Sequence, residues 1–471
     1  MVKGIFKMEQ AISTNLSAIF NKQQKYQWEV RQTDAATRKV KLQKLLHVLQ
    51  SYSEEIIQAV RQDVEKPAFE IVNEITAVTS GIQYAIANIE TWMLPEEVET
   101  QPGTKAQIVY EPKGVVCIFG TWNAPLTVTI HPLAEAIAAG NCVILKPSEH
   151  MPTLATLTQK LLAEVFEEQE VAVVLGDASV ANELLELPFN HFFFTGGSKI
   201  GKLIMTAAAK HLASVTLELG GKSPVIVDRN VDLERTTMRL AWGKLLNSGQ
   251  ICISPDYVFV YEEDLNAFAE HFEQHVRNSI YDAQGNLCKE DHTQIINAAN
   301  FTRLKNLVED AISKGATVLS GGHFDEESRR IEPTLLSNIT EDMEITHEEI
   351  FGPILLVLPY QDVENALAYI RSKPQPLALY LFSENEGLVQ HILQTTSSGG
   401  VTINDIYSHN THPNLPFGGV GNSGVGSYHG IHGFKGFSHA RAVFTAIPQE
   451  YEPFVMPPYK GKLEMLQQKY K

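Results

Sequence analysis

From about residue 107 the chain repeats one unit, a short and almost wholly apolar run followed by a longer stretch with apolar residues three and four apart. The runs are Gly114-Val115-Val116-Cys117-Ile118-Phe119, Cys142-Val143-Ile144-Leu145, Val171-Ala172-Val173-Val174 and His191-Phe192-Phe193-Phe194. Helical stretches such as 131–139 and 153–167 separate them. A strand with one face in water alternates polar and apolar residues, so a continuously apolar strand has both faces covered. Strand–helix alternation of this kind predicts an α/β architecture, a parallel sheet with helices on both sides. A second alternating section runs from about 224 to 382 and includes Pro224-Val225-Ile226-Val227 and Ile354-Leu355-Leu356-Val357-Leu358. Ahead of both, residues 9–95 read as helical, with the three- and four-residue apolar spacing clearest at 38–49. Residues 399–445 are rich in Gly and His and read as loop and edge strand.

With 471 residues the chain is long enough for two or three units sharing large cores. A net charge of −17 disfavours nucleic acid as a partner, because a phosphate-binding surface needs a cationic face. Four cysteines, Cys117, Cys142, Cys252 and Cys288, do not make a disulfide framework in a chain this long. A reducing, cytoplasmic compartment is expected. The N-terminal Met1-Val-Lys-Gly-Ile-Phe-Lys lacks the apolar core of a signal peptide. No apolar run reaches the length of about 18 residues that a membrane span requires.

One cysteine stands apart. Cys252 lies in Asn247-Ser248-Gly249-Gln250-Ile251-Cys252-Ile253-Ser254-Pro255, among small and polar residues, whereas an inert buried cysteine usually sits in an apolar run. Upstream, Glu218-Leu219-Gly220-Gly221-Lys222-Ser223-Pro224 offers a carboxylate beside two glycines that allow close backbone approach. A thiol nucleophile and a carboxylate base are enough to form and then hydrolyse an acyl-enzyme. Asn123, in Thr121-Trp122-Asn123-Ala124-Pro125, follows the strand 114–120; it reads as a turn initiator or as an amide donor. Phe194-Thr195-Gly196-Gly197-Ser198-Lys199-Ile200-Gly201 follows another strand and opens a helix over 202–212, a setting that brings phosphate to free helix N–H groups.

These segments together resemble the aldehyde dehydrogenase superfamily, over nearly the whole chain from about 10 to 445. The loop 416–426 with Tyr428-His429-Gly430, and the segment Lys373-Pro374-Gln375-Pro376-Leu377-Ala378-Leu379-Tyr380, resemble its class 3-like branch, which oxidises fatty, aromatic and bacterial carotenoid aldehydes. The resemblance implies Cys252 as nucleophile, Glu218 as general base and the Asn123 amide as oxyanion donor. Ala124 stands where the family usually has an aromatic residue, and Thr121 where it has proline. The cofactor, NAD with NADP also usable, would meet Lys146, Glu149, Gly196, Gly197, Ser198 and Gly201. Glu349 would hold the nicotinamide ribose and Phe351 the ring, both within Glu348-Glu349-Ile350-Phe351-Gly352-Pro353.

The expected fold is two doubly wound parallel-sheet domains plus a small bridging element. A Rossmann-like cofactor domain would span 1–220, with a bridging segment near 96–112, and a catalytic domain 221–405. Residues 406–471 would supply an oligomerisation segment and tail, and the resemblance implies a homodimer. The expected reaction is oxidation of an apolar aldehyde to the acid. Two alternatives stand beside it: a CoA-acylating enzyme, and a structural protein reusing the fold. His409, His412, His429, His432 and His439 show no ligand spacing, so no metal is expected. The basic tail, with Tyr459, Lys460, Lys462, Leu463, Met465, Leu466, Lys469, Tyr470 and Lys471, would lie in solvent, on a partner subunit or on an anionic membrane surface.

Overall fold

The structure, a computed structural model, describes residues 2–446 and 457–469. Tyr470 and Lys471 of the tail lie outside them. Four helices open the chain, Val2–Arg31, Ala35–Ser51, Ser53–Asp63 and Ala68–Trp92. A six-stranded sheet follows. Its five parallel strands run in the spatial order Ser214–Leu219, His191–Gly196, Val115–Phe119, Cys142–Lys146 and Val171–Val173. The two-residue strand Gly424–Val425 closes one edge antiparallel, with Gly424 opposite Glu218.

The apolar runs are buried on both faces, as continuous apolar strands require. Val115, Cys117, Phe119 and Phe192 pack with Leu16, Ile19 and Phe20 of the first helix. Val116, Ile118 and Phe193 face the other way, into a core built with the next helices and with Thr127–Ala139. Chain order reverses beside Val115–Phe119: the chain steps to Cys142–Lys146 on one side and later returns to His191–Gly196 on the other. In doubly wound sheets, ligands occupy the crevice at the carboxyl ends of the strands where the order reverses.

A seven-stranded sheet carries the second alternating section, in the order Thr317–Ser320, Thr334–Ser337, Ile354–Tyr360, Pro255–Tyr261, Ser223–Val227, Ala378–Phe382, Gly400–Ile403. Only Thr317–Ser320 runs antiparallel to its neighbour. Val225, Val227, Val258 and Val260 join the core that also holds Val116 and Val143, so one apolar interior is continuous between the two sheets. Ile226, Tyr257, Phe259 and Leu356 form a second core on the far face.

A small antiparallel sheet joins Glu96–Val98, Lys105–Pro112 and Ser438–Thr445. The segment 399–445 holds more regular structure than its composition suggests. Gly400–Ile403 extends the seven-stranded sheet and Gly430–Gly436 is a helix. The helix opening at the Gly-Gly turn starts earlier than expected, at Ser198, and ends at Ala209. Tyr459, Leu463, Met465 and Leu466 of the tail are exposed, the last three on the helix Lys462–Lys469. Among the described residues, no helix is long and apolar enough to cross a membrane and no group of metal-ligating side chains gathers.

Candidate active site

Glu218 ends a strand of one sheet, and Cys252 sits in the turn that enters a strand of the other. The fold brings the two together: the Cys252 thiol is close enough to draw the Glu218 pKa down. Neither Glu218 oxygen has another hydrogen-bond partner among the described residues, and the side chain is buried. Burial therefore dominates and lifts this carboxyl from 4.5 to about 7, where a general base works best near neutral pH. Burial also pushes the Cys252 thiol well above its ordinary range, with the neighbouring Glu218 charge adding to it. The thiol is thus a neutral group beside a ready proton acceptor, and Cys252 remains half-buried with access from outside.

The turn that carries Cys252 is backbone-strained. Asn247 (φ 50°), Ser248 (φ 51°) and Gly249 (φ 67°) are consecutively left-handed, a conformation that non-glycine residues hold only under several constraints. The constraints are visible. The Asn247 side-chain amide donates to the carbonyls of Asn123 and Gln250, each at 2.9 Å, and its backbone N–H donates to Glu70 at 2.9 Å. The Ser248 hydroxyl donates to the Thr293 carbonyl. Tyr380 donates to the Ile253 carbonyl at 2.6 Å and Tyr407 to the Gly243 carbonyl at 2.8 Å. Buried Lys244 donates to the Pro255 carbonyl at 2.7 Å, and desolvation lowers its pKa to about 7. The bond from Asn247 uses the backbone carbonyl of buried Asn123, not its side-chain amide.

The dinucleotide residues expected from sequence line the carboxyl edge of the six-stranded sheet. Lys146 is paired with Phe119, and Phe119 with Phe194, in register, so the Lys146 and Gly196 turns flank the point of reversal. Buried Lys146 contacts the Glu149 carboxylate at 3.0 Å, and Glu149 itself is 40% exposed at its side chain. A methyl at Gly197 would meet nothing within 4 Å, and no side chain caps the helix that begins at Ser198. That open face with free N–H groups fits an anionic pyrophosphate. Gly201 differs. It is buried against Leu219, where a methyl would collide, so its part is close helix–strand packing.

At the other end, Glu349 lies over Gly220, whose missing side chain makes room for the carboxylate. The Gly221 N–H faces Glu349, yet one carboxylate oxygen is buried without a partner, and burial lifts its pKa to about 8. Such an orphaned acceptor suits a ligand hydroxyl. Phe351, held at φ 50°, meets Trp122 edge-on at 5.5 Å. The residues present thus fit an extended dinucleotide, with Lys146, Gly197 and Ser198 at one end and Glu349 and Phe351 at the other.

Sequence reasoning missed Glu70, Lys244, Asn247, Tyr380 and Tyr407. Asn247 was in view beside Cys252, but nothing local marks it as the strut between two loops. His409 bonds Thr402 Oγ1 at 2.7 Å, and His429 stacks on His131 at 4.6 Å, both as packing groups.

Residues 3–443 match the model of the aldehyde dehydrogenase family. The chain is 39% identical to aldehyde dehydrogenase family 3 member H1 of Arabidopsis thaliana, over 94% of this chain and 90% of that one. It is 39% identical to a coniferyl aldehyde dehydrogenase of a Pseudomonas species, over 92% and 91% of the two chains. A substrate-bound structure of Staphylococcus aureus AldH superposes with a TM-score of 0.91 at 36% identity, covering 97% of this chain and 99% of that one.

Proposed function

Because the chain belongs to the aldehyde dehydrogenase family, in its class 3-like branch, and is an NAD(P)-dependent oxidoreductase acting on aldehydes, we propose that it oxidises apolar aldehydes, aliphatic or aromatic, to carboxylic acids through a covalent intermediate on Cys252. The observation that carries this reading is the desolvated Glu218 carboxyl beside the Cys252 thiol. Glu218 takes the thiol proton as Cys252 Sγ attacks the aldehyde carbon. The resulting oxyanion is held by the Asn123 side-chain amide and the Cys252 backbone N–H, donors preorganised by the strained turn. The bound dinucleotide supplies the hydride acceptor. Glu218 then releases the thiol proton to solvent; in the second half it draws a proton from water as the water oxygen attacks the thioester carbon, and the acid leaves as Glu218 returns that proton to the departing Cys252 thiolate.

Lys146, Gly197 and Ser198 would hold the dinucleotide at one end and Glu349 and Phe351 at the other. An apolar substrate is supported by the coniferyl aldehyde dehydrogenase relative and by exposed apolar side chains on the two helices that adjoin the nucleophile loop. Phe69 is exposed beside Glu70; Met238 and Trp242, one helical turn apart, are also exposed, and Trp242 packs edge-on against Tyr407 at 5.4 Å. The functional units are a cofactor domain over 1–220, a catalytic domain over 221–405 and a C-terminal segment that dimerises, in a cytoplasmic protein.

Cofactor reduction with a panel of aliphatic and aromatic aldehydes tests the reading. Cys252→Ala loses turnover while retaining fold and NAD binding, and Asn123→Ala loses about 10²–10³-fold in kcat. Substantial activity in Cys252→Ala overturns the mechanism.

A further inference from the structure

We propose that helix Ala68–Trp92 carries a two-carboxylate clamp, Glu70 and Glu74, that fixes the nucleophile loop against the oxyanion loop. Both are positioning residues, and the proposal rests on the roles given to Cys252 and Asn123 above. Residues four apart lie on one helix face, so both carboxylates project the same way. Glu70 Oε2 accepts the Asn247 N–H at 2.9 Å and the Thr293 hydroxyl at 3.4 Å. Glu74 Oε1 accepts the N–H groups of Leu126 at 2.7 Å and Thr127 at 3.1 Å, where the loop of Asn123 enters the helix Thr127–Ala139. Asn247 closes the circuit through its bond to the Asn123 carbonyl. The contacts join residues 177, 124 and 52 positions apart.

Each carboxylate satisfies backbone donors that local structure leaves open. The first N–H groups of a helix have no intrahelical partner. Asn247 is left-handed and needs outside constraint. Buried Lys66 lies 3.4 Å from Glu74 Oε2 and supplies the positive charge that lets two carboxylates share this interior face. Neither carboxylate is held by its charge alone; each is placed by the length of its side chain.

That distinction sets the experiment. Glu→Gln keeps the acceptor oxygen in place and removes charge, whereas Glu→Asp keeps charge and withdraws the oxygen by a methylene. Steady-state kinetics, the NAD dissociation constant and the rate of Cys252 alkylation by iodoacetamide are measured for Glu70→Gln, Glu70→Asp, Glu74→Gln and Glu74→Asp, with Cys252→Ala alongside. Small displacements of reacting groups cost up to about 100-fold. The Asp variants are expected to lose about 10- to 100-fold in kcat, with alkylation accelerated as the loop loosens and NAD affinity held within about two-fold, while Glu70→Gln stays near wild type and Glu74→Gln, which also unpairs buried Lys66, loses stability ahead of kcat. Asp variants at wild-type kcat, or Glu70→Gln impaired more than Glu70→Asp, overturn the clamp. Activity remaining in Cys252→Ala would instead overturn the underlying mechanism, so the two failures are separable.

Discussion

The desolvation that would fit Glu218 for the role of base also works against the fold. Its pKa in the folded chain is raised from 4.5 to about 7, so the folded state holds this proton more tightly than the unfolded chain. The corresponding stability is fully present below about pH 4.5 and is lost as pH rises through about 7. Glu218→Gln cannot ionise. Between about pH 4 and pH 8 it should therefore gain on wild type by on the order of 3 kcal/mol in urea unfolding. Its turnover moves the other way. In wild type the rate should rise through about pH 7 as the carboxyl ionises, and in Glu218→Gln that limb disappears. A pH-independent stability difference would show that the carboxyl is not held out of water. Glu149 carries a second expectation. Its contact with Lys146 leaves it partly exposed at the expected ribose end, so it should repel a 2′-phosphate. Like charges about 4 Å apart repel by about 1 kcal/mol in water and about 4 at an effective dielectric of 20. NAD should be preferred, and Glu149→Gln should raise the ratio of NADP to NAD efficiency; an unchanged ratio would remove Glu149 from cofactor choice. Cys252, Glu218 and Glu349 were legible because each stands in a short linear motif. Glu70 was not, because its partner Asn247 is 177 positions away and no local pattern records that contact.

At the scale of elements, the strands were legible wherever both faces are buried, since a run such as Val115–Phe119 admits few other conformations. The helix Gly430–Gly436 was not. Its three glycines oppose helix formation. Packing overrides propensity here: Phe434 sits against Trp92 at 5.7 Å and Tyr110 at 6.3 Å, and Gly433 gives room to the buried Glu135. The left-handed turn before Cys252 is the opposite case, an element whose glycine is local but whose shape is imposed from outside. Gly249 has φ 67°, and a methyl there would run into the carbonyl of Gly352, next to Phe351. Gly249→Ala should cost both a left-handed penalty of about 1–2 kcal/mol and a forced separation of the Cys252 and Phe351 loops. Thermal unfolding should show the loss of stability, and kcat should fall more than KM rises. Wild-type kinetics would mean that the turn is not what aims the thiol.

The whole molecule is organised around one apolar interior shared by the two large sheets, which is why the Cys252 thiol from one and the Glu218 carboxyl from the other can meet with little freedom. The small third sheet is different in kind. Lys105–Pro112 is its middle strand, Ser438–Thr445 pairs among the described residues on one side only, and most residues of that last strand are exposed, with Phe444 at 64%. An open strand edge with an exposed aromatic is a site for pairing with another chain unless charge or a covering element blocks it. Arg441 does not block it, since its guanidinium is turned to Glu111 at 2.8 Å on the neighbouring strand. The dimer proposed above would use this edge. Adding a second copy in β-sheet register would pair the free backbone groups and bury Phe444 in one step. Phe444→Lys places a charge in that contact without touching either large sheet. Light scattering coupled to size exclusion should give a dimer for wild type and a shift towards monomer for Phe444→Lys, with Cys252 alkylation rates unchanged between them. A wild-type monomer would rule out the dimer, and a Phe444→Lys dimer of undiminished strength would move the interface away from this edge.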